Sequence, residues 1–139
     1  VMYLGVDWGS KMIGLAVGSE IPYELATIRN DKGAIEKIAQ LCVQEKIERI
    51  VIGMPVLESG DKGNLADKVE YFGRQLKEKT NLPIYFEPEN LTTQTALELL
   101  KEEGMRPDDI EKKVDQTAAR LILEQYIANI EEDISQEAL

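Results

Sequence analysis

Met2-Tyr3-Leu4-Gly5-Val6-Asp7-Trp8-Gly9-Ser10-Lys11-Met12-Ile13-Gly14-Leu15-Ala16-Val17 decides how the rest of the chain folds. Two apolar runs of strand length and composition, Met2–Val6 and Ile13–Val17, flank a Gly-Ser-Lys stretch that is turn material. A hairpin is predicted, with Asp7 at the end of what reads as a buried central strand. Taking an ionised carboxylate out of water costs on the order of several kcal/mol unless a partner or a metal compensates. An Asp in this place can also cap a turn through its own backbone. The hairpin does not choose between those roles; the choice rests on whether the chain brings more acids to the same spot.

Outward from the hairpin, Gly18-Ser19-Glu20-Ile21-Pro22 is a turn and Tyr23–Ile28 reads as a third strand. Asn30-Asp31-Lys32-Gly33 opens a helix in which Ile35, Ile38, Ala39 and Cys42 recur at helical spacing, ending near Lys46. Cys42 on that stripe is expected to be a buried, inert thiol. Arg49–Pro55 has the unbroken apolar centre of a strand covered on both faces. A loop over Val56–Gly63 leads to a helix with Leu65, Val69, Phe72 and Leu76 on one face. Ile84-Tyr85-Phe86 is the next strand, running into Glu87-Pro88-Glu89. Thr92 or Thr93 is expected to N-cap a helix that carries Ala96, Leu99 and Leu100 and stops at Gly104. Arg106–Lys113 is polar and reads as a loop or a single helical turn, ahead of a last helix over Val114–Ile130.

The order β-β-β-α-β-α-β-α-α predicts an α/β domain. Its sheet is mixed and five-stranded, three antiparallel strands and then two parallel ones, with helices on both faces. A length of 139 residues fits one such domain over 1–130, with 131–139 as an acidic tail expected to fray. In sheets of this kind ligand sites gather at the carboxyl ends of the parallel strands. Asp7 and the Glu87–Glu89 stretch both fall there.

Composition narrows the chemistry. The chain has no histidine, which removes the commonest general base, and one cysteine, which excludes an internal disulfide and a Cys/His zinc site. The formal charge is −10, and four of the acids (Glu131, Glu132, Asp133 and Glu137) lie in the tail. An acidic body repels polyanions, so a nucleic-acid ligand requires a local basic patch or bound cations. The start does not read as a secretory leader and no stretch is long and apolar enough for a membrane span, so a cytoplasmic location is expected.

The last helix offers a third acid. Asp115, Ala118, Ala119, Ile122, Tyr126 and Ile130 share one face at helical spacing. Asp115 at the head of a buried stripe can serve the helix dipole as a cap. The two alanines after it also let the helix lie close to the sheet, which carries Asp115 toward the strand-end acids. Three carboxylates from separate elements suit Mg²⁺ or Mn²⁺, hard cations with oxygen ligands. Such ions activate water and stabilise the leaving oxygen of a phosphodiester, and they supply the positive potential the side chains lack.

Four pieces of the chain, in order, carry a family resemblance. They are Leu4–Lys11 with Ile13–Val17, Ile50–Pro55, Glu89-Asn90-Leu91-Thr92-Thr93, and Val114–Ala119 with Leu121-Ile122-Leu123. From Tyr3 to Ile130 the chain resembles the YqgF-type family, also called Holliday-junction-resolvase-like, of ribonuclease H-like fold. That resemblance implies a metal-dependent nuclease that trims the 5′ end of the 16S ribosomal RNA precursor, with Holliday-junction cleavage credited to some members. It places the family's acidic triad on Asp7, Glu89 and Asp115 as metal ligands. Lys11, Thr92 and Thr93 become candidates for phosphate contact, beside ordinary turn and capping duty. The implied partners are structured RNA or branched DNA, with no membrane and with room for a homodimer; the implied cofactor is Mg²⁺ or Mn²⁺.

Two family arginines are missing: Asn90 stands for one before Leu91-Thr92-Thr93, and Met12 for one after Lys11. Each loss removes a bidentate fork for phosphate. A module that binds nucleic acid without cutting it is therefore the second reading. Glu87, on the same side of its strand as Glu89 by alternation, is a further candidate ligand. A sugar-kinase or actin-like ATPase, which also carries Asp-x-Gly after a first strand, needs two such lobes and is set aside.

Overall fold

The computed structural model describes residues 1–55, 63–89 and 92–137, with side chains over 1–55, 64–89 and 92–131. The predicted hairpin is the centre of the sheet. β1 (Tyr3–Trp8) runs antiparallel to β2 (Met12–Gly18), and β2 antiparallel to β3 (Tyr23–Arg29). β4 (Arg49–Pro55) pairs in parallel with the other side of β1, and β5 (Ile84–Glu89) in parallel with β4. The order β3-β2-β1-β4-β5 is the mixed five-stranded sheet that the element order implies.

Strand alternation divides the sheet residues between two faces. Leu4, Val6, Ile13, Leu15, Val17, Ile50 and Ile52 point one way into a core closed by α1 (Ala34–Gln44) and α2 (Gly63–Thr80). Ile38 and Cys42 of α1, with Val69, Phe72 and Leu76 of α2, complete that core. The opposite face is crossed by α4 (Pro107–Glu137), which lies over β1, β2 and β3, while α3 (Thr92–Glu102) packs on α4. Here the core is smaller: Tyr3 and Val51 meet Ile122, Leu123 and Ile127. Cys42 is buried and its thiol is pushed up to about 11 by that burial, the inert role expected of it. Among the described residues no helix is long and apolar enough to cross a membrane.

The structure corrects several boundaries. The segment after Arg106 is neither a loop nor a lone turn, because α4 begins at Pro107 and continues to Glu137. Proline suits the first helical position, Asp108 and Asp109 complement the dipole, and buried Ile110 anchors this turn. Residues 131–137 extend the same helix. β5 runs through Pro88 to Glu89, which an edge strand tolerates. Thr92 and Thr93 stand inside the first turn of α3 rather than before it, so neither is its N-cap. On α2 the buried stripe is Ala66, Val69, Phe72 and Leu76, with Leu65 turned out and 49% exposed. Most of the predicted 56–63 loop, and Asn90, lie outside the described residues.

Candidate active site

Asp7 is the penultimate residue of the central strand and points to the α4 face, because Val6 and Trp8 on either side of it pack toward the other core. Directly opposite it in the β1–β2 register stands Gly14. Any Cβ on Gly14 would run into the backbone carbonyl of Asp115. The missing side chain is what lets α4 settle onto β2 at this level, and it puts Asp115 beside the strand end that carries Asp7. The alanine pair behaves as its spacing suggests: Ala118 and Ala119 are fully buried against the sheet.

Glu89 arrives from the other side. It ends β5 opposite Pro55 of β4, and alternation gives it the same face as Asp7. A Cβ at Gly53 would stand 3.0 Å from Glu89 Oε2, so the carboxylate folds back over β4 toward the centre of the sheet. Strand end, strand end and helix thus bring the three predicted acids into one neighbourhood, with Asp7 in the middle.

The electrostatics record that arrangement. Burial, then the charge of Glu89, then that of Asp115, push the Asp7 carboxyl up to about 8. Burial raises Glu89 and Asp115 as well. Among the described residues no three His, Cys, Asp or Glu side chains already close on a single point. Asp7 is instead the shared neighbour of two acids. Glu89 and Asp7 line one pocket of about 530 Å³, and Asp115 lines a separate concavity that includes Met12 and Thr27. All donors on offer are carboxylate oxygens, the hard set that suits Mg²⁺ or Mn²⁺ and not zinc or copper. The charge they accumulate, and the raised proton affinity of Asp7, are what a dication would relieve.

The other predicted residues divide. Thr92, buried, and Thr93 line the pocket with Asp7 and Glu89. Lys11 sits exposed in the hairpin turn, where its carbonyl accepts the Asn30 N–H at 2.8 Å; it is not among the residues lining that pocket. Glu87 shares the face of Glu89, as alternation requires, but α4 holds it away. Asn129 Nδ2 donates to its Oε1 at 2.7 Å and Gln125 Nε2 at 3.2 Å, and the side chain is buried there. Gln125 Nε2 also reaches the carbonyl of Pro88 at 3.1 Å, fixing the strand just before Glu89.

Sequence reasoning passed over Trp8, Leu65 and Gln94, which line the same pocket. For Trp8 the signal was present, since it adjoins Asp7 at a strand end. Leu65 had been given to the core, and its exposure at the pocket is the clue that it had another place.

Comparison with known proteins places this geometry in a family. The family model described as RuvX, Holliday junction resolvase, matches residues 1–129. A protein of Protochlamydia amoebophila (strain UWE25), named as a candidate pre-16S rRNA nuclease, is 38% identical over 136 residues, 89% of this chain and 91% of that one. A Lactobacillus johnsonii protein of the same name is 34% identical over 139 residues, 94% of this chain and 97% of that one. Among solved structures, the Fowlpox virus resolvase in complex with Holliday junction DNA aligns with a TM-score of 0.57, covering 94% of this chain and 99% of that one. At 12% identity this last likeness bears on the fold alone, and it agrees with the ribonuclease H-like sheet expected from the hairpin and the parallel pair. The chain belongs to the RuvX, Holliday junction resolvase-like family.

Proposed function

We propose that this protein is a nuclease that hydrolyses phosphodiester bonds with a divalent cation, Mg²⁺ or Mn²⁺, held by Asp7, Glu89 and Asp115. We assign it the 16S ribosomal RNA precursor as substrate, with the cut at the 5′ end; its relatives are named as candidate pre-16S rRNA nucleases. The observation that carries the site assignment is the position of Asp7: half-buried at the end of the central strand, with the charges of Glu89 and Asp115 both acting on it.

The chemistry that Mg²⁺ or Mn²⁺ supplies when bound is positive charge against a phosphate and a water acidic enough to attack phosphorus. The remaining work belongs to the chain. The three carboxylates would hold and orient the cation, and in a histidine-free protein carboxylates are the groups left to take a proton from the attacking water. Thr92 and Thr93, in the first turn of α3 and on the wall of the pocket, offer hydroxyls and helix-start N–H groups to a phosphate oxygen. Lys11 adds a cation at the exposed turn. With Met12 and Asn90 in the places of the two arginines, these contacts carry more of the phosphate binding than in relatives that keep the forks.

A four-way DNA junction is the second substrate, favoured by the description of the matching family model. The test is cleavage of a precursor rRNA fragment with its 5′ extension and of a four-way junction, in Mg²⁺ and in Mn²⁺. Cleavage of the RNA that vanishes in Asp7→Asn is the expected result. Binding of both substrates without cleavage in either metal overturns the nuclease assignment and leaves a binding module, the outcome that the two missing arginines make worth testing.

A further inference from the structure

Trp8 has two neighbours of different kinds. Alternation turns it away from Asp7 onto the α2 side of the sheet, where its ring stands 6.4 Å from that of Phe72 at 53°. It nevertheless reaches the wall of the pocket that holds Asp7 and Glu89. It also lines a second pocket, of about 340 Å³. The two pockets therefore share a single aromatic side chain.

The second pocket has the chemistry of a nucleobase site. Tyr71, one residue before Phe72 on α2, leaves its ring 59% exposed at this pocket, an aromatic surface that no core uses. Trp8 and Tyr71 present flat aromatic area, and buried Phe72 backs the indole from the core. The lining also carries Asn30, Asp67, Lys68 and Gln75, amide, carboxylate and ammonium groups of the kind that pair with base edges. Asn30 is held in place, donating from Nδ2 to the Gly9 carbonyl at 2.7 Å. The Asp67 carboxylate can accept hydrogen bonds from the exocyclic amino group of adenine or cytosine. The volume lies at the lower end of the range for small-ligand sites, about 300–1,000 Å³.

We propose that this Trp8–Tyr71 pocket takes one unstacked base of the substrate, next to the phosphate that is cut. The inference rests on the nuclease reading above and deepens it by naming a feature of the substrate. A base inside a duplex has both faces covered, so an aromatic slot accepts only one that has left its stack: in a single strand, a loop or a branch point. Cutting is thereby directed to unpaired nucleotides and away from continuous duplex.

Trp8 is the only tryptophan of the chain, so intrinsic fluorescence reads the pocket directly. The experiment titrates the intact protein at low ionic strength, in EDTA to prevent cleavage, with oligoadenylate and with an abasic strand of equal length. Oligoadenylate is expected to quench Trp8 and the abasic strand to do so far less. Tyr71→Ala, at an exposed position, is expected to weaken oligoadenylate binding by roughly 5- to 150-fold, the range for loss of one stacked base. Tyr23→Ala, which removes an exposed ring on β3, is expected to change nothing. Equal response to the two strands, no quenching by either, or an unchanged affinity in Tyr71→Ala overturns the pocket. A parallel cleavage assay separates the two proposals. Cleavage that ignores both Tyr71→Ala and an abasic nucleotide at each position around the cut removes the pocket and keeps the nuclease. Base-dependent quenching in a protein that never cuts does the reverse.

Discussion

The two faces of the sheet are built from alternate residues of the same strands and serve opposite ends. Toward α1 and α2 the strands present Leu4, Val6, Ile13, Leu15, Val17, Ile50 and Ile52, each with no exposed surface. Toward α4 the same strands present Asp7, Gly14, Gly53, Glu87 and Glu89 among a few apolar residues. The first face buries hydrocarbon and stabilises the fold. The second gives up side-chain volume at its glycines so that a helix can lie close, and places acids where the backbone approaches. Stability and chemistry are thus separated by one residue of register along each strand.

The largest expected break between the faces comes from the aliphatic one. Leu15→Ala should cost about 2–5 kcal/mol, the range for a buried leucine, read as a lowered denaturation midpoint. Cleavage per folded molecule should survive, because Leu15 points into the core on the face opposite Asp7, Glu89 and Asp115. Loss of activity in a fully folded Leu15→Ala protein would show that the faces are coupled.

On the acidic face the sign reverses. Asp7 ionises near 3.8 when unfolded and near 8 when folded, so the folded state keeps a proton that the unfolded state gives up between those values. In the cation-free protein the contribution of Asp7 to stability is fully present below about pH 4 and is lost as pH rises toward 8. Asp7→Asn removes that fall. Its metal-free form should therefore melt higher than the wild type at pH 8, by up to a few kcal/mol of stability, and alike at pH 4. Calorimetry in EDTA across that window checks it, and parallel pH profiles for the two proteins would contradict it.

Gly14→Ala tests the close approach itself. The added methyl meets the Asp115 carbonyl, so α4 must shift, at about 1–3 kcal/mol of stability and with most of the cleavage lost. Full activity in this variant would mean that the position of Asp115 over β2 is unimportant. The smallest effect is expected at Glu87. Glu87→Gln keeps one acceptor oxygen for the amides of Gln125 and Asn129, so it should cost about 1 kcal/mol and leave cleavage near the wild-type rate. A collapse in cleavage there would make Glu87 a cation ligand after all.

Much of this was legible in the sequence, for physical reasons that differ by element. Two apolar runs around Gly9-Ser10-Lys11 implied the hairpin, and the unbroken Ile50-Val51-Ile52 run a central parallel strand, because both patterns follow directly from which faces are covered. Asp7 and Glu89 were legible as strand-end acids, and Asp115 as an acid heading a buried stripe. The resemblance chose Glu89 over Glu87; in the structure Glu87 is held by Gln125 and Asn129, which come from a helix that no strand pattern could align with β5. The start of α4 was missed because its first turn is polar outside and held by a single buried residue, Ile110. Leu65 was misplaced because helical spacing fitted it as well as Ala66, and only the packed helix tells which of two neighbours faces inward. The meaning of Gly14 was hidden for a similar reason: it depends on a register between two strands and on a helix far along the chain.

Crystals soaked in Mn²⁺ test the cation site at Asp7, Glu89 and Asp115 most directly, by anomalous density. Density is expected at coordination distance from the Asp7 carboxylate, shared with Glu89, Asp115 or both, and absent from Asp7→Asn crystals treated alike. A saturating soak that leaves the space around Asp7 without density, with the three carboxylates turned apart, would contradict it.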